Sequence, residues 1–132
     1  MKITPDSNVL IRAIADDDSV QSTAAQKSLR NAELVGITLP ALCEMVWVLR
    51  KLYKIPVGQI GEAIRRLIDS SNVVANRAAV EAGLQMLERG GDFADGVIAY
   101  EGRWLDCDTF LSFDKQAIKL LAAAGRKTQV PA

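Results

Sequence analysis

The first fifteen residues, MKITPDSNVLIRAIA, contain the pattern that decides the fold. Residues 1–5 predict a short strand that ends at Pro5-Asp6, and residues 7–15 carry apolar side chains at helical spacing. The stretch therefore predicts a strand followed closely by a helix, with an acidic residue at the junction between them.

The same alternation of short strand-like runs and longer helical runs continues along the chain. Four further strands are predicted, the second of them buried: 34–39, 73–74, 109–113 and an edge strand at 127–130. Six further helices are predicted: 19–32, 40–54, 56–70, 76–89, 92–104 and 114–124. The order β-α-α-β-α-α-β-α-α-β-α-β implies right-handed crossovers and a mainly parallel sheet. We therefore predict an α/β fold that forms one domain over residues 1–132.

The composition excludes several kinds of function. The 16 Lys and Arg residues balance 16 Asp and Glu residues, so the chain has no strong overall field that would attract nucleic acid. Any contact with RNA or DNA must come from local patches or from bound metal. The chain has 0 His residues, which excludes Ser-His-Asp and Cys-His catalysis and most zinc sites.

Cysteine usage and hydropathy indicate where the protein acts. Cys43 and Cys107 are isolated in the sequence, which indicates buried thiols in a reducing compartment. No segment resembles a targeting signal, and the apolar runs fall short of the ~18 residues that would span a bilayer. We expect a cytoplasmic protein with no membrane association.

Four acidic residues occupy places where a site is expected. Asp6 follows the first strand and Asp114 follows the strand at 109–113, so both lie at carboxyl ends of parallel strands. Glu44 and Asp95 are each a single charge among apolar neighbours, and a buried carboxylate is costly unless it is paired or binds metal. Four carboxylates without histidine suit Mg²⁺ or Mn²⁺, ions that activate water and support phosphoryl displacement.

Each acid also has a purely structural interpretation. Asp6, Asp92 and Asp114 are each placed to cap the helix that follows, and for Asp92 a cap is the better interpretation. The spacing Asp92-x-x-Asp95 resembles a capping box, and Glu44 could be a satisfied structural acid.

Two other features have alternative interpretations. The run Asp16-Asp17-Asp18 predicts a solvated turn. Trp47 and Leu49 could contact a partner helix, but burial in the core is the better interpretation.

Four segments together resemble the PIN-domain proteins. TPDSNVL at 4–10 is similar to the D-[TS]-N-[VIL]-L start of that family, and LCE at 42–44 resembles its second acidic motif. DFADGVIA at 92–99 resembles its D-x-x-I-A segment, and LSFDK at 111–115 resembles its late T/S-x-D segment. The match covers nearly the whole chain in the right order and looks specifically like VapC-type toxins of bacterial toxin–antitoxin pairs.

The resemblance implies a magnesium-dependent ribonuclease with a three-layer α/β/α fold around a mainly parallel central sheet. The metal-coordinating and catalytic acids would be Asp6, Glu44, Asp95 and Asp114. The supporting residues would be Ser7 and Ser112, which hydrogen-bond the carboxylates or nearby water, Asn8, which orients the first loop, and Asp92. The late motif departs from many relatives, because Ser112-Phe113 stands where they have Thr-Asn.

The resemblance also implies partners. Relatives usually form homodimers. A VapB-like antitoxin usually wraps the toxin and blocks its site, and the toxin–antitoxin pair usually binds the promoter DNA of its own genes. RNA is the implied substrate. A rival interpretation is a metal-binding regulatory module with little catalysis, acting through an antitoxin-like partner at a promoter. The intact set of four acids favours the enzyme.

Overall fold

A computed structural model describes residues 1–17 and 19–132 of the chain. The described residues form five strands and seven helices, in the order that the sequence predicts. The strands are β1 Lys2–Ile3, β2 Leu34–Gly36, β3 Val73–Val74, β4 Thr109–Leu111 and β5 Lys127–Gln129. The helices are α1 Ser7–Ala15, α2 Val20–Asn31, α3 Leu39–Lys51, α4 Val57–Asp69, α5 Arg77–Glu88, α6 Phe93–Trp104 and α7 Lys115–Ala123.

Three strands, β1, β2 and β4, are shorter than their predicted runs, and a helix cap closely follows each of them. The run predicted at 34–39 pairs only over Leu34–Gly36. Thr38 ends it, because its side-chain oxygen accepts a hydrogen bond from the Ala41 N–H at 3.4 Å and starts α3. Side-chain capping by Thr38 thus marks where β2 gives way to α3.

The chain divides into two compact units, Met1–Asn76 and Arg77–Ala132. In the first unit, β1, β2 and β3 form a parallel sheet in that order, with Ile3 opposite Val35. In the second unit, β4 and β5 pair in parallel. The predicted α/β class with parallel strands is confirmed, and the paired strands form two hydrogen-bonded sheets.

The first unit packs α1 against α2 and α3. Buried apolar side chains of α1 and α3 include Leu10, Leu42, Met45 and Leu49. The predicted core position of Leu49 is confirmed, but that of Trp47 is wrong, because its side chain is 53% exposed. Two residues along a helix differ by about 200°, so the two side chains cannot share one face.

The second unit packs α5 closely against α6. A methyl group on Gly96 would lie 2.4 Å from the Ala82 carbonyl oxygen, and one on Gly83 would lie 2.6 Å from the Phe93 ring. Only glycine at these two positions allows the helices to approach so closely. The first turns of α6 are therefore fixed against α5.

Two predictions about burial are wrong. Val74 is 57% exposed because β3 is an edge strand, paired only with β2 in its sheet. Cys107 is exposed because α6 ends at Trp104 and leaves it in the following turn, while Cys43 is half-buried; neither cysteine forms a disulfide among the described residues.

The predicted solvated turn after α1 is confirmed for its described residues. Asp16 and Asp17 are exposed, and Asp17 lies 3.2 Å from the Arg12 guanidinium. Asp18, the third acid of that run, lies outside the described residues. Across the described part of the chain, no helix is long and apolar enough to span a bilayer.

Candidate active site

The chain from β1 into α1 places Asp6 at a helix N-terminus. Asp6 has extended backbone, with φ −79° and ψ 176°, and its Oδ1 accepts a hydrogen bond from the Val9 N–H at 3.0 Å. The capping role considered for this acid is therefore confirmed. The cap uses one carboxylate oxygen, and a carboxylate has a second oxygen to offer a cation.

Ser7 joins the first acid to the second. Its side chain is buried, and its hydroxyl donates a 2.8 Å hydrogen bond to Glu44 Oε1 on α3. The packing of α1 on α3 brings together residues 37 positions apart in sequence. Glu44 is exposed rather than enclosed by apolar neighbours, so its carboxylate meets solvent and the Ser7 hydroxyl together.

Asn8 is exposed beside Asp6. Both residues line a groove of about 680 Å³ formed by β1, α1 and α2. Arg12, Gln21 and Ser28 supply further polar side chains along it. The first acidic motif therefore faces an open groove of the first unit.

The turn into α6 places two more acids. Asp92 caps the helix, because its Oδ1 accepts from the Ala94 N–H at 3.2 Å, which confirms the interpretation of this residue as a cap. Asp95 does not complete a capping box, since its carboxylate takes no hydrogen bond among the described residues. Asp95 is half-buried instead.

The electrostatics of Asp95 are unfavourable for a charged side chain. Burial raises the pKa of Asp95 above its ordinary value of 3.8, and the negative charges of Asp92 and Asp114 raise it further. In the second unit, Asp95 therefore lies close enough to two other carboxylates to be repelled by both. A bound cation would relieve this repulsion.

Asp114 is fixed at the N-terminus of α7. Its Oδ1 accepts hydrogen bonds from the N–H groups of Gln116 at 3.0 Å and Ala117 at 3.1 Å, so its predicted capping role is also confirmed. The Asp114 N–H donates to the Ser112 hydroxyl oxygen at 2.9 Å. Ser112 therefore holds the backbone of Asp114 in place, although phenylalanine follows it in the motif.

Gln116 also belongs to this arrangement, although it was not among the predicted site residues. Its side-chain amide donates to the Gly90 carbonyl oxygen at 3.1 Å and so ties the start of α7 to the turn before α6. No signal in the sequence points to Gln116, because the contact joins residues 26 positions apart.

The predicted acids therefore form two groups, each within its own unit. Ser7 links Glu44 to the Asp6 segment in the first unit, and Asp95 interacts with Asp92 and Asp114 in the second. Among residues 1–17 and 19–132, no three Cys, Asp or Glu side chains are arranged to hold a metal ion. The donors in both groups are oxygen atoms only, and such donors fit a hard divalent cation.

The raised pKa of Asp95 predicts how stability depends on pH. Between pH 3.8 and the raised value, the folded chain binds more protons than the unfolded chain, so stability falls as the pH rises through this window. Asp95→Asn removes this penalty. We expect the variant to be more stable than the native protein at pH 7 in EDTA, with the difference shrinking as the pH falls towards 3.8.

Urea unfolding from pH 3.5 to 8 measures the difference. Glu101→Gln, which removes an exposed acid from the same helix, is the matched control and should show no such trend. A native protein as stable as Asp95→Asn at pH 7 would show that the crowding of carboxylates carries no penalty.

Comparison with known proteins agrees with the motifs. The model of the PIN domain family matches residues 3–123, which span both compact units. No curated protein matches the chain. PIN domains are generally nuclease domains that use divalent metal ions. With most of its length matched, the chain belongs to the PIN domain family.

Proposed function

We propose that this chain is a metal-dependent endoribonuclease and the toxin of a type II, VapC-type toxin–antitoxin pair. The observation that carries the proposal is the half-buried Asp95 carboxylate, which has two like charges near it. Such an arrangement destabilises a fold, and clustered groups of this kind are common at sites built for function. Membership of a nuclease family supplies the chemistry.

The proposed catalytic acids are Asp6, Glu44, Asp95 and Asp114, which would hold Mg²⁺ or Mn²⁺. When bound, a divalent cation activates water and neutralises charge on a phosphodiester. The chain's own contribution is to orient the carboxylates. Ser7 fixes the Glu44 side chain by its 2.8 Å hydrogen bond, and the capping bonds of Asp114 hold its carboxylate at the helix end.

The rival function is a metal-binding regulatory module that acts at a promoter without cleaving RNA. It would use the same acids to bind metal. Substitutions of these acids that leave the metal-free protein folded distinguish the two functions. They abolish RNA hydrolysis if the protein is a nuclease. The family match favours the nuclease, because PIN domains are typically nucleases.

The proposal includes an antitoxin partner, a homodimer and promoter binding only through the antitoxin complex, all in the cytoplasm. One feature of α3 supports the partner. Trp47 is exposed and lies three residues, or about one turn, after Glu44, so both side chains are on one face of the helix. If an apolar side chain of the antitoxin packs against Trp47, the antitoxin residues next to it lie beside the Glu44 carboxylate.

The first test is RNA cleavage by purified protein. We expect cleavage with Mg²⁺ or Mn²⁺ and none in EDTA. Glu44→Gln and Asp95→Asn should each lower the rate at least about 100-fold, and the double variant should lose little more, because residues that act as a unit are non-additive. Glu101→Gln should cleave normally. Full cleavage by metal-free protein in EDTA would contradict the proposal.

Ser7→Ala tests the positioning of Glu44 in the same assay. Loss of the hydrogen bond leaves Glu44 in place but free to rotate, so the rate should fall about 10- to 100-fold. The metal concentration for half-maximal rate should rise as well. Ser71→Ala, on an exposed turn, is the control. A Ser7→Ala variant with the metal dependence of the native protein would show that Ser7 has no role in the site.

The second test addresses the toxin. Induced expression of the native chain should arrest bacterial growth, and Asp95→Asn should relieve the arrest. Co-expression with the chain from the neighbouring reading frame should restore growth and yield a copurifying complex, which Trp47→Ala should weaken. If the native chain accumulates harmlessly although it cleaves RNA in vitro, the toxin assignment fails.

A further inference from the structure

The carboxyl end of α6 carries an exposed aromatic surface. Trp104 is 76% exposed, and its ring centroid lies 6.5 Å from that of Tyr100 at an interplanar angle of 58°. Arg103 lies beside them and lines the same depression. An exposed tryptophan supported by a second ring is a ready surface on which a planar group can stack.

Next to this surface lies a guanidinium with an unused donor. Arg126 is half-buried, and its Nη1 is buried without a hydrogen-bond partner among the described residues. Burial lowers the pKa of Arg126, and the positive charge of Arg103 lowers it further. A buried donor without an acceptor is destabilising, and an anion placed between the two arginines would offset their repulsion.

A cavity lies where such an anion would bind. Arg103, Arg126 and Lys127 all line a space of about 160 Å³. Asp108 also lines it but is committed to Lys127, whose Nζ lies 3.3 Å from Asp108 Oδ2. The space is several times the ~30 Å³ that a water molecule occupies, so a phosphoryl group fits. The two arginines are therefore the cations left for a ligand.

We propose that Tyr100, Arg103, Trp104 and Arg126, the basic-aromatic patch, bind single-stranded RNA. A backbone phosphate lies against Arg103 and Arg126, and an adjacent base stacks on Trp104. Planar guanidinium groups match phosphate oxygens in pairs, and every base has a face that stacks on an aromatic ring. The inference rests on the proposed function and assigns the RNA a second contact outside the acids.

The position of the patch on α6 suits this role. Trp104 and Asp95 lie on the same helix, nine residues or about 13 Å apart along its axis. An RNA strand bound to the patch is thus anchored away from Asp95 on the same rigid helix. The chain has formal net charge +0, so local cations must supply the attraction to phosphate.

Binding in EDTA tests the patch without cleavage. The probe is a fluorescein-labelled 12-nucleotide single-stranded RNA, titrated by anisotropy with the full chain at several salt concentrations. Arg126→Gln and Arg103→Gln should each weaken binding about tenfold and reduce the slope of log affinity against log salt by about 0.7. Arg30→Gln, which removes an exposed arginine from α2, should change neither.

Trp104→Ala should weaken binding about tenfold with an unchanged salt slope, and Trp104→Phe should restore most of it, because a phenyl ring still stacks. The same RNA annealed to its complement should show no dependence on Trp104. Native binding by both arginine variants and by Trp104→Ala overturns the inference, as does a native chain that binds no RNA.

Parallel assays separate this inference from the nuclease proposal. Patch variants should lower kcat/KM mainly through KM. If RNA binding depends on the patch but no cleavage occurs in Mg²⁺, the nuclease proposal is contradicted and the patch proposal stands. If Arg103→Gln, Arg126→Gln and Trp104→Ala all leave the cleavage rate unchanged, the nuclease proposal stands and the patch proposal is contradicted. Variants that bind RNA normally but lose self-association in gel filtration would show that the patch is a protein interface.

Discussion

Helix N-termini hold two of the four acids to which the proposed function assigns catalysis, and also the supporting acid Asp92. The first N–H groups of a helix lack partners within it, and a carboxylate that accepts from them is fixed in position and favoured by the helix dipole. Asp6, Asp92 and Asp114 cap α1, α6 and α7 in this way. Two of these helices follow a parallel strand closely, so the short strands and the caps together place the acids at strand ends.

Capping and the proposed metal binding are therefore compatible roles for Asp6 and Asp114. Each cap engages one oxygen of the carboxylate, which anchors the side chain while a second oxygen remains to serve as a ligand. The acids that cap no helix are held differently. Glu44 depends on Ser7, and Asp95 is held by the close packing of α6 on α5 at Gly96. The crowding of Asp95 with other carboxylates is the cost of gathering them.

The order of the elements could be predicted because it depends on local signals. Apolar periodicity located all the helices of the described residues, and Asp6 and Asp114 followed from their positions after strands. The exposure of Val74 could not be predicted, since it depends on which strand is left at a sheet edge. Cys107 lies beyond the predicted end of its helix, but whether the turn that holds it is covered depends on tertiary packing. The proximity of Arg103 and Arg126 could not be predicted from the sequence either, because the pairing of β4 with β5 brings distant segments together.

We propose that Asp6 in the first unit and Asp95 in the second serve the same metal-dependent function. Thermal unfolding in EDTA and in Mg²⁺ tests it, with native protein, Asp6→Asn and Asp95→Asn at one fixed concentration. Asparagine still caps a helix, so the substitution of Asp6 removes charge with little change in capping. We expect Mg²⁺ at a hundredfold excess over Kd to stabilise the native chain by about 2.7 kcal/mol and to stabilise both variants much less. Variants that melt lower than the native chain in EDTA and respond to Mg²⁺ as fully as it does would show that these acids do not serve a metal-dependent function.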